Sequence, residues 1–186
     1  MAEVILVTGG ARSGKSRFAE QLLSEYTPEQ APALYVATAQ AFDDEMRQRI
    51  ALHRERRPKH WRTVESPLFL TEAVLPYVEE TKAVLLDCIT LYLSNLLLMA
   101  DVETLAANSE QLELAAWQEI SSLIALCRQH DVHLIMVTNE VGMGVVPPSL
   151  LGRVFRDISG FTNQRIAQTA DHVFLLTAGL PFALKG

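Results

Sequence analysis

The sequence predicts an α/β fold, a mostly parallel central sheet with helices on both faces, and three observations carry that expectation. Short apolar runs rich in β-branched residues recur at residues 4–7, 34–37, 83–86, 132–137 and 173–176. Longer segments with helical spacing lie between most of them, the alternation that builds a sheet from strand–helix–strand units. The runs are continuously apolar rather than alternating, as strands buried on both faces are. At 186 residues, 49% of them hydrophobic, the chain can bury one sizeable core and is short for two, so residues 1–186 are expected to form a single domain. No repeat, low-complexity tract or Pro/Gly/Ser-rich linker marks a boundary.

The first run, Val4-Ile5-Leu6-Val7-Thr8, leads straight into Gly9-Gly10-Ala11-Arg12-Ser13-Gly14-Lys15-Ser16, which fits GxxxxGK[ST] and reads as a P-loop. Glycines let successive backbone N–H groups curl around phosphate oxygens, Lys15 neutralises the outer phosphates, and the Ser16 hydroxyl suits Mg²⁺. Phe18, Leu22 and Ala19 fall on one face of the segment that follows, so the phosphates are expected at a helix N-terminus. Further along, 83–100 is the most apolar long stretch. Asp87, Thr90, Ser94 and Asn95 interrupt it, which favours a strand followed by a helix over a membrane span. Val84-Leu85-Leu86-Asp87 ends an apolar strand on a carboxylate, the pattern that holds Mg²⁺ through water beside a P-loop. Asp87 would then complete the metal site begun by Ser16, with capping of the next helix as the plain alternative. Leu112, Ala116, Ile120, Leu123 and Cys127 form a helical stripe and read as core. Pro147-Pro148 and Gly179-Leu180-Pro181 read as turns, and the residues after Thr177 as a hairpin at the sheet edge.

Charge and cysteine content bound the function. A formal net charge of -6 argues against a general nucleic-acid binder, which needs a basic surface to replace phosphate counterions. Yet Arg47, Arg49, Arg54, Arg56, Arg57, Lys59 and Arg62 gather seven of the sixteen basic residues in one short segment, a patch suited to a small polyanion. Cys88 and Cys127 lie in no metal-spaced cluster, and the start of the chain lacks the basic, then apolar, pattern of a secretory signal. A reducing, cytoplasmic setting is therefore expected. His60, His130, His133 and His172 show no ligand spacing and read as structural.

One histidine stands apart. Asp43-Asp44-Glu45 reads as the acidic first turn of a helix on which Met46, Ile50 and His53 stand at i, i+4 and i+7, an inward-facing stripe. Arg54, Glu55, Arg56 and Arg57 follow directly. A neutral imidazole there can attack phosphorus while guanidiniums stabilise the developing oxygen charge, and a histidine satisfied in the core remains the alternative. Val137-Thr138-Asn139-Glu140 ends a strand at a Gly-containing loop, so Asn139 and Glu140 can serve a second substrate or cap the next element. Arg153, Arg156, Asp157, Asn163, Gln164 and Arg165 lie on a predicted helix and read as its solvated face.

GGARSGKS, the block DDEMxxRIxxHRxxRPxHWRTVE, the strand LLDCIT and VTNEVGMGVVP followed by FRDISGxxNQ together resemble the bifunctional adenosylcobinamide kinase and adenosylcobinamide-phosphate guanylyltransferase family of cobalamin biosynthesis, from Ile5 to about Leu176. The resemblance implies a RecA-like P-loop fold and two reactions. The terminal phosphate of ATP or GTP passes to the aminopropanol hydroxyl of adenosylcobinamide; GTP then guanylylates a histidine, and GMP moves on to the phosphorylated corrinoid. It implies that His53 is the guanylylated residue. Some relatives carry two adjacent histidines there, where this chain has Leu52-His53. It further implies nucleotide contacts from the P-loop, Ala37, Thr38, Arg54, Glu55, Arg56, Arg57, Glu65 and Asp87, and a homo-oligomer, a trimer being known among relatives. Relatives carry Glu where this chain has Asp87. A P-loop kinase of another small alcohol and a RecA-like regulatory ATPase are the competing readings.

Overall fold

Residue alternation along the strands decides how this chain layers. The computed structural model describes residues 1–28, 31–41, 44, 47–48, 54–55, 57–100, 105 and 107–186. Seven strands form one sheet: β1 (Val4–Gly9), β2 (Ala33–Ala37), β3 (Trp61–Glu65), β4 (Ala83–Asp87), β5 (His133–Val137), β6 (His172–Thr177) and β7 (Leu180–Lys185). Their order is β3-β2-β4-β5-β1-β6-β7. Every pairing is parallel except β6 with β7, the antiparallel hairpin expected at the sheet edge.

Because successive side chains point to opposite faces, each strand feeds two cores. Val4 and Leu6, Leu34 and Val36, Val84 and Leu86, and Leu134 and Met136 pack with α2 (Leu70–Val74), the 3₁₀ helix Leu75–Glu80, α3 (Ile89–Leu98), α4 (Ser109–Gln129) and α5 (Leu150–Thr169). Ile5 and Val7, Tyr35, Leu85, and Ile135 and Val137 face the other way, onto α1 (Lys15–Tyr26). Both faces are therefore dry, which is why the strands read as unbroken apolar runs.

Two expectations need correction. On α1 the inward stripe is Lys15, Ala19 and Leu23, with Phe18 and Leu22 only partly buried beside it. A lysine at the first helical position is polar in sequence, which hid the true phase of the stripe. The C-terminal turn is made by Ala178 and Gly179, and Leu180 and Pro181 already belong to β7. Proline is admitted there because β7 is an edge strand that needs no donor on its free side. The stripe on α4 lies as expected, with Ala116, Ile120, Leu123 and Cys127 buried.

Candidate functional site

The parallel register lines up the carboxyl ends of the strands. Glu65 pairs with Ala37, Ala37 with Asp87, Asp87 with Val137, and Val137 with Val7. With strands about 4.8 Å apart, Glu65 sits roughly 10 Å from Asp87 along this rim. Beyond it opens a cavity of about 400 Å³ lined by P-loop residues Arg12, Lys15 and Ser16 on one side and by Arg54, Arg57 and Glu65 on the other, with Asp87 between. A second cavity of about 610 Å³ adjoins it through Ala39, Arg54 and Glu65. Ligands in open α/β sheets bind at this edge because loops there are free to vary while the strands hold them.

Backbone geometry makes the P-loop. Gly9 has φ 150° and Gly14 φ 97°, both in space closed to most side chains. A Cβ on Gly9 would lie 2.5 Å from the Leu176 carbonyl oxygen, and one on Gly14 3.2 Å from Gly179 Cα. The loop is thus pressed against β6 and the β6–β7 turn, where the Gly179 N–H donates to the Ser13 carbonyl at 2.9 Å. Lys15 Nζ donates to the Gly10 carbonyl at 2.6 Å, folding the ammonium back over the loop it must neutralise. Burial pulls Lys15 below its ordinary value, against the charge of Asp87. The Ser13 hydroxyl is buried in the loop and has no hydrogen-bond partner among the described residues.

Across the cavity, Tyr35 donates to Asp87 Oδ2 at 2.6 Å, and the Arg57 guanidinium lies 3.5 Å above the Tyr35 ring. Burial and the neighbouring carboxylate both push the Tyr35 phenol up, so it stays protonated and keeps the hydrogen it donates to Asp87. Cys88, the next residue after Asp87, is pushed up to about 12, first by burial and then by Asp87, and is a neutral packing group. Arg54 reaches Glu65 at 3.7 Å with both side chains exposed, a contact that adds little stability but sets two charges at the mouth.

Behind the rim runs a polar network. Asn95, buried on α3, donates to the carbonyls of Thr38 and Pro67 at 2.8 and 3.1 Å. The Thr38 hydroxyl is 2.8 Å from both the N–H and the carbonyl of Cys88. Thr90 accepts from the Asn139 N–H at 2.6 Å and meets Thr138, which donates to Asn163. Asn163 therefore points inward, in contrast to the solvated face expected of it. Asn163 is itself half-buried, and its neighbour Thr162 is buried on the turn of α5 that faces the sheet.

The residues expected from sequence fall into three groups. Ala11, Arg12, Lys15, Ser16, Ala37, Arg54, Arg57, Glu65 and Asp87 line the first cavity, as does Asn139. Gly9, Gly10, Ser13, Gly14 and Thr38 shape its walls without lining it, and Glu55 is exposed outside it. His53 and Arg56 lie outside the described residues, as do Asp43, Glu45, Met46 and Ile50 of the helix expected there. Glu140 accepts from the Gly142 N–H at 2.7 Å within the loop and does not cap the next helix, whose N-cap is Ser149. Tyr35 was missed by sequence reasoning because a tyrosine inside an apolar strand carries no motif.

For a hard cation the donor chemistry fits. Ser16 and Asp87 bring a hydroxyl and a carboxylate oxygen to one cavity. Among the described residues no cluster of three His, Cys, Asp or Glu side chains could cage a metal alone. Such a donor set suits an ion that takes one or two protein oxygens and completes its shell from phosphate and water. The described residues include no helix long and apolar enough to cross a membrane.

A family model described as cobinamide kinase / cobinamide phosphate guanyltransferase matches residues 5–184. The chain belongs to this family. It is 45% identical over 184 residues to the bifunctional adenosylcobalamin biosynthesis protein CobU of Escherichia coli, covering 98% of this chain and 99% of that one. The protein of the same name from Salmonella typhimurium is 45% identical over 188 residues, with 98% and 99% covered. The bifunctional adenosylcobalamin biosynthesis protein CobP of Pseudomonas aeruginosa is 45% identical over 181 residues, with 97% and 96% covered. The cobinamide kinase / cobinamide phosphate guanyltransferase family thus spans both rims of the cavity, from β1 to β7.

Proposed function

We propose that this chain acts in cobalamin biosynthesis as one domain that carries out two transfers from one nucleotide cavity. In the first, the hydroxyl oxygen of the aminopropanol arm of adenosylcobinamide attacks the γ-phosphorus of ATP or GTP, the bond to the bridging oxygen breaks, and the diphosphate leaves. In the second, a ring nitrogen of His53 attacks the α-phosphorus of GTP, pyrophosphate leaves, and the GMP then moves from His53 to the phosphate of adenosylcobinamide phosphate. The single observation that carries the reading is the convergence of Lys15, Asp87 and two arginines, Arg54 and Arg57, on one cavity at the carboxyl edge of the sheet.

The division of labour follows from position. Backbone N–H groups of residues 9–16 hold phosphate oxygens and Lys15 neutralises the outer ones. Ser16 and Asp87 are the residues that would hold Mg²⁺, which supplies charge neutralisation of the phosphates when bound. On the far side, Arg54 and Arg57 face the sugar-phosphate end, where attack at the α-phosphorus needs its charge compensated. Arg56, next in the same run, is assigned to the same duty from the sequence alone, as are Ala37, Thr38, Glu55 and Glu65 to nucleotide contact. A cytoplasmic setting accords with the two buried free cysteines. Self-association is supported by β7, whose six residues are all exposed and present Leu180, Phe182 and Leu184 on an edge strand.

Purified protein given γ-labelled ATP and adenosylcobinamide is expected to yield labelled corrinoid phosphate, and Lys15→Ala to slow this by roughly a hundredfold or more. Absence of labelled corrinoid with either ATP or GTP as donor would remove the kinase half of the proposal.

A further inference from the structure

Nothing in the reaction requires Tyr35, yet it is the group on which the two halves of the cavity meet. It is buried on the α1 face of β2, 1% exposed, flanked by Thr63 on β3 and Leu85 on β4. Its hydroxyl donates to Asp87 Oδ2 at 2.6 Å, and its ring carries the Arg57 guanidinium at 3.5 Å. Arg57 Nη1 reaches the Thr63 hydroxyl at 3.4 Å, and its Nε is buried with no partner among the described residues. The guanidinium is therefore held mainly by the aromatic face beneath it. With Oδ2 engaged by the phenol, Asp87 has one oxygen, Oδ1, left to turn toward Ser16 and the phosphates.

We infer that Tyr35 is a positioning residue that fixes Asp87 through its hydroxyl and Arg57 through its ring, and so ties the metal-facing side of the cavity to the guanylyl-transfer side. The inference rests on the assignment of Asp87 to the metal shell and of Arg57 to the nucleotide. A free carboxylate rotates about χ2, which is broad for aspartate, whereas a carboxylate hydrogen-bonded to a buried phenol keeps one plane. A guanidinium stacked on a buried ring likewise loses little further freedom when a phosphate arrives. The two functions of Tyr35 are separable, since phenylalanine keeps the ring and removes only the hydroxyl.

Binding of Mn²⁺ to the full-length protein in the presence of GDP, followed by electron paramagnetic resonance, reads the first function without turnover. Tyr35→Phe is expected to raise the Mn²⁺ concentration for half-saturation about three- to tenfold, the scale of the net contribution of one ordinary hydrogen bond. Asp87→Asn should raise it at least as much, and the double variant no further than Asp87→Asn alone, because the hydroxyl acts through that carboxylate. GDP affinity measured with chelator should be unchanged in Tyr35→Phe and weakened in Tyr35→Leu, which also frees Arg57. Thermal unfolding shows whether each variant is folded. An unchanged Mn²⁺ titration in a folded Tyr35→Phe, with Asp87→Asn weakened, overturns the inference. If Asp87→Asn is itself unchanged, the assignment of Asp87 to the metal fails instead.

Discussion

At the scale of single residues, the cavity separates groups that carry charge from groups that carry shape. Lys15 and Asp87 are the first kind; Gly9 and Gly14 are the second, needed because φ values of 150° and 97° close the loop against Leu176 and Gly179. Gly14→Ala is expected to cost about 1–2 kcal/mol in conformational strain. It should also weaken nucleotide binding well beyond the loss of stability, since the displaced turn carries the N–H groups of the cradle. Isothermal titration with GDP and urea unfolding of the same variant separate the two effects. The motif residues were legible in the sequence because a P-loop fixes glycine, lysine and hydroxyl at set offsets. Tyr35 and Asn163 were not, because each acts through one long-range hydrogen bond, to Asp87 and Thr138, that no local spacing encodes.

At the scale of elements, β1, β2, β4 and β5 could be read as apolar runs because both their faces are buried, and β6 could be read although it is only half-buried. β3 escaped that reading: at the sheet edge only Trp61 is buried, Thr63 and Val64 are half-buried, and Arg62 and Glu65 are exposed, so no continuous apolar run announces it. The loops that shape the site are held by α3, where Asn95 ties the carbonyls of Thr38 and Pro67. Asn95→Ala removes the donor to the buried Thr38 carbonyl and the half-buried Pro67 carbonyl and is expected to destabilise the protein by about 2 kcal/mol, measurable as a lowered urea midpoint with an unchanged m-value. The loss should fall on nucleotide affinity too, because Thr38 in turn braces Cys88, the neighbour of Asp87.

At the scale of the whole molecule, the end of the sheet opposite the cavity sets the response to acid. The Val4 N–H donates to Asp171 at 2.8 Å, and that hydrogen bond, helped by Arg128, holds the Asp171 carboxyl below its usual 3.8. A depressed folded value means stability present above pH 3.8 and lost as pH falls through the folded value. Burial lowers His133 below its usual 6.5. A lowered histidine gives stability that is full above the unfolded value and lost as pH falls from 6.5 toward the folded value. Stability measured by urea unfolding should thus decline in two stages on acidification, with Asp171→Asn flattening only the lower one. The exposed apolar edge of β7 has its own consequence: Phe182→Glu is expected to shift sedimentation velocity toward the monomer while leaving GDP binding intact.

The central claim is that one P-loop cavity serves attack by a hydroxyl at the γ-phosphorus and attack by His53 at the α-phosphorus. Incubation with α-labelled GTP tests it most directly. The protein is expected to retain label as a phosphoramidate, stable to base and labile to acid, and His53→Ala to retain none while still phosphorylating adenosylcobinamide. A wild-type protein that transfers γ-phosphate but never takes up α-label would contradict the account.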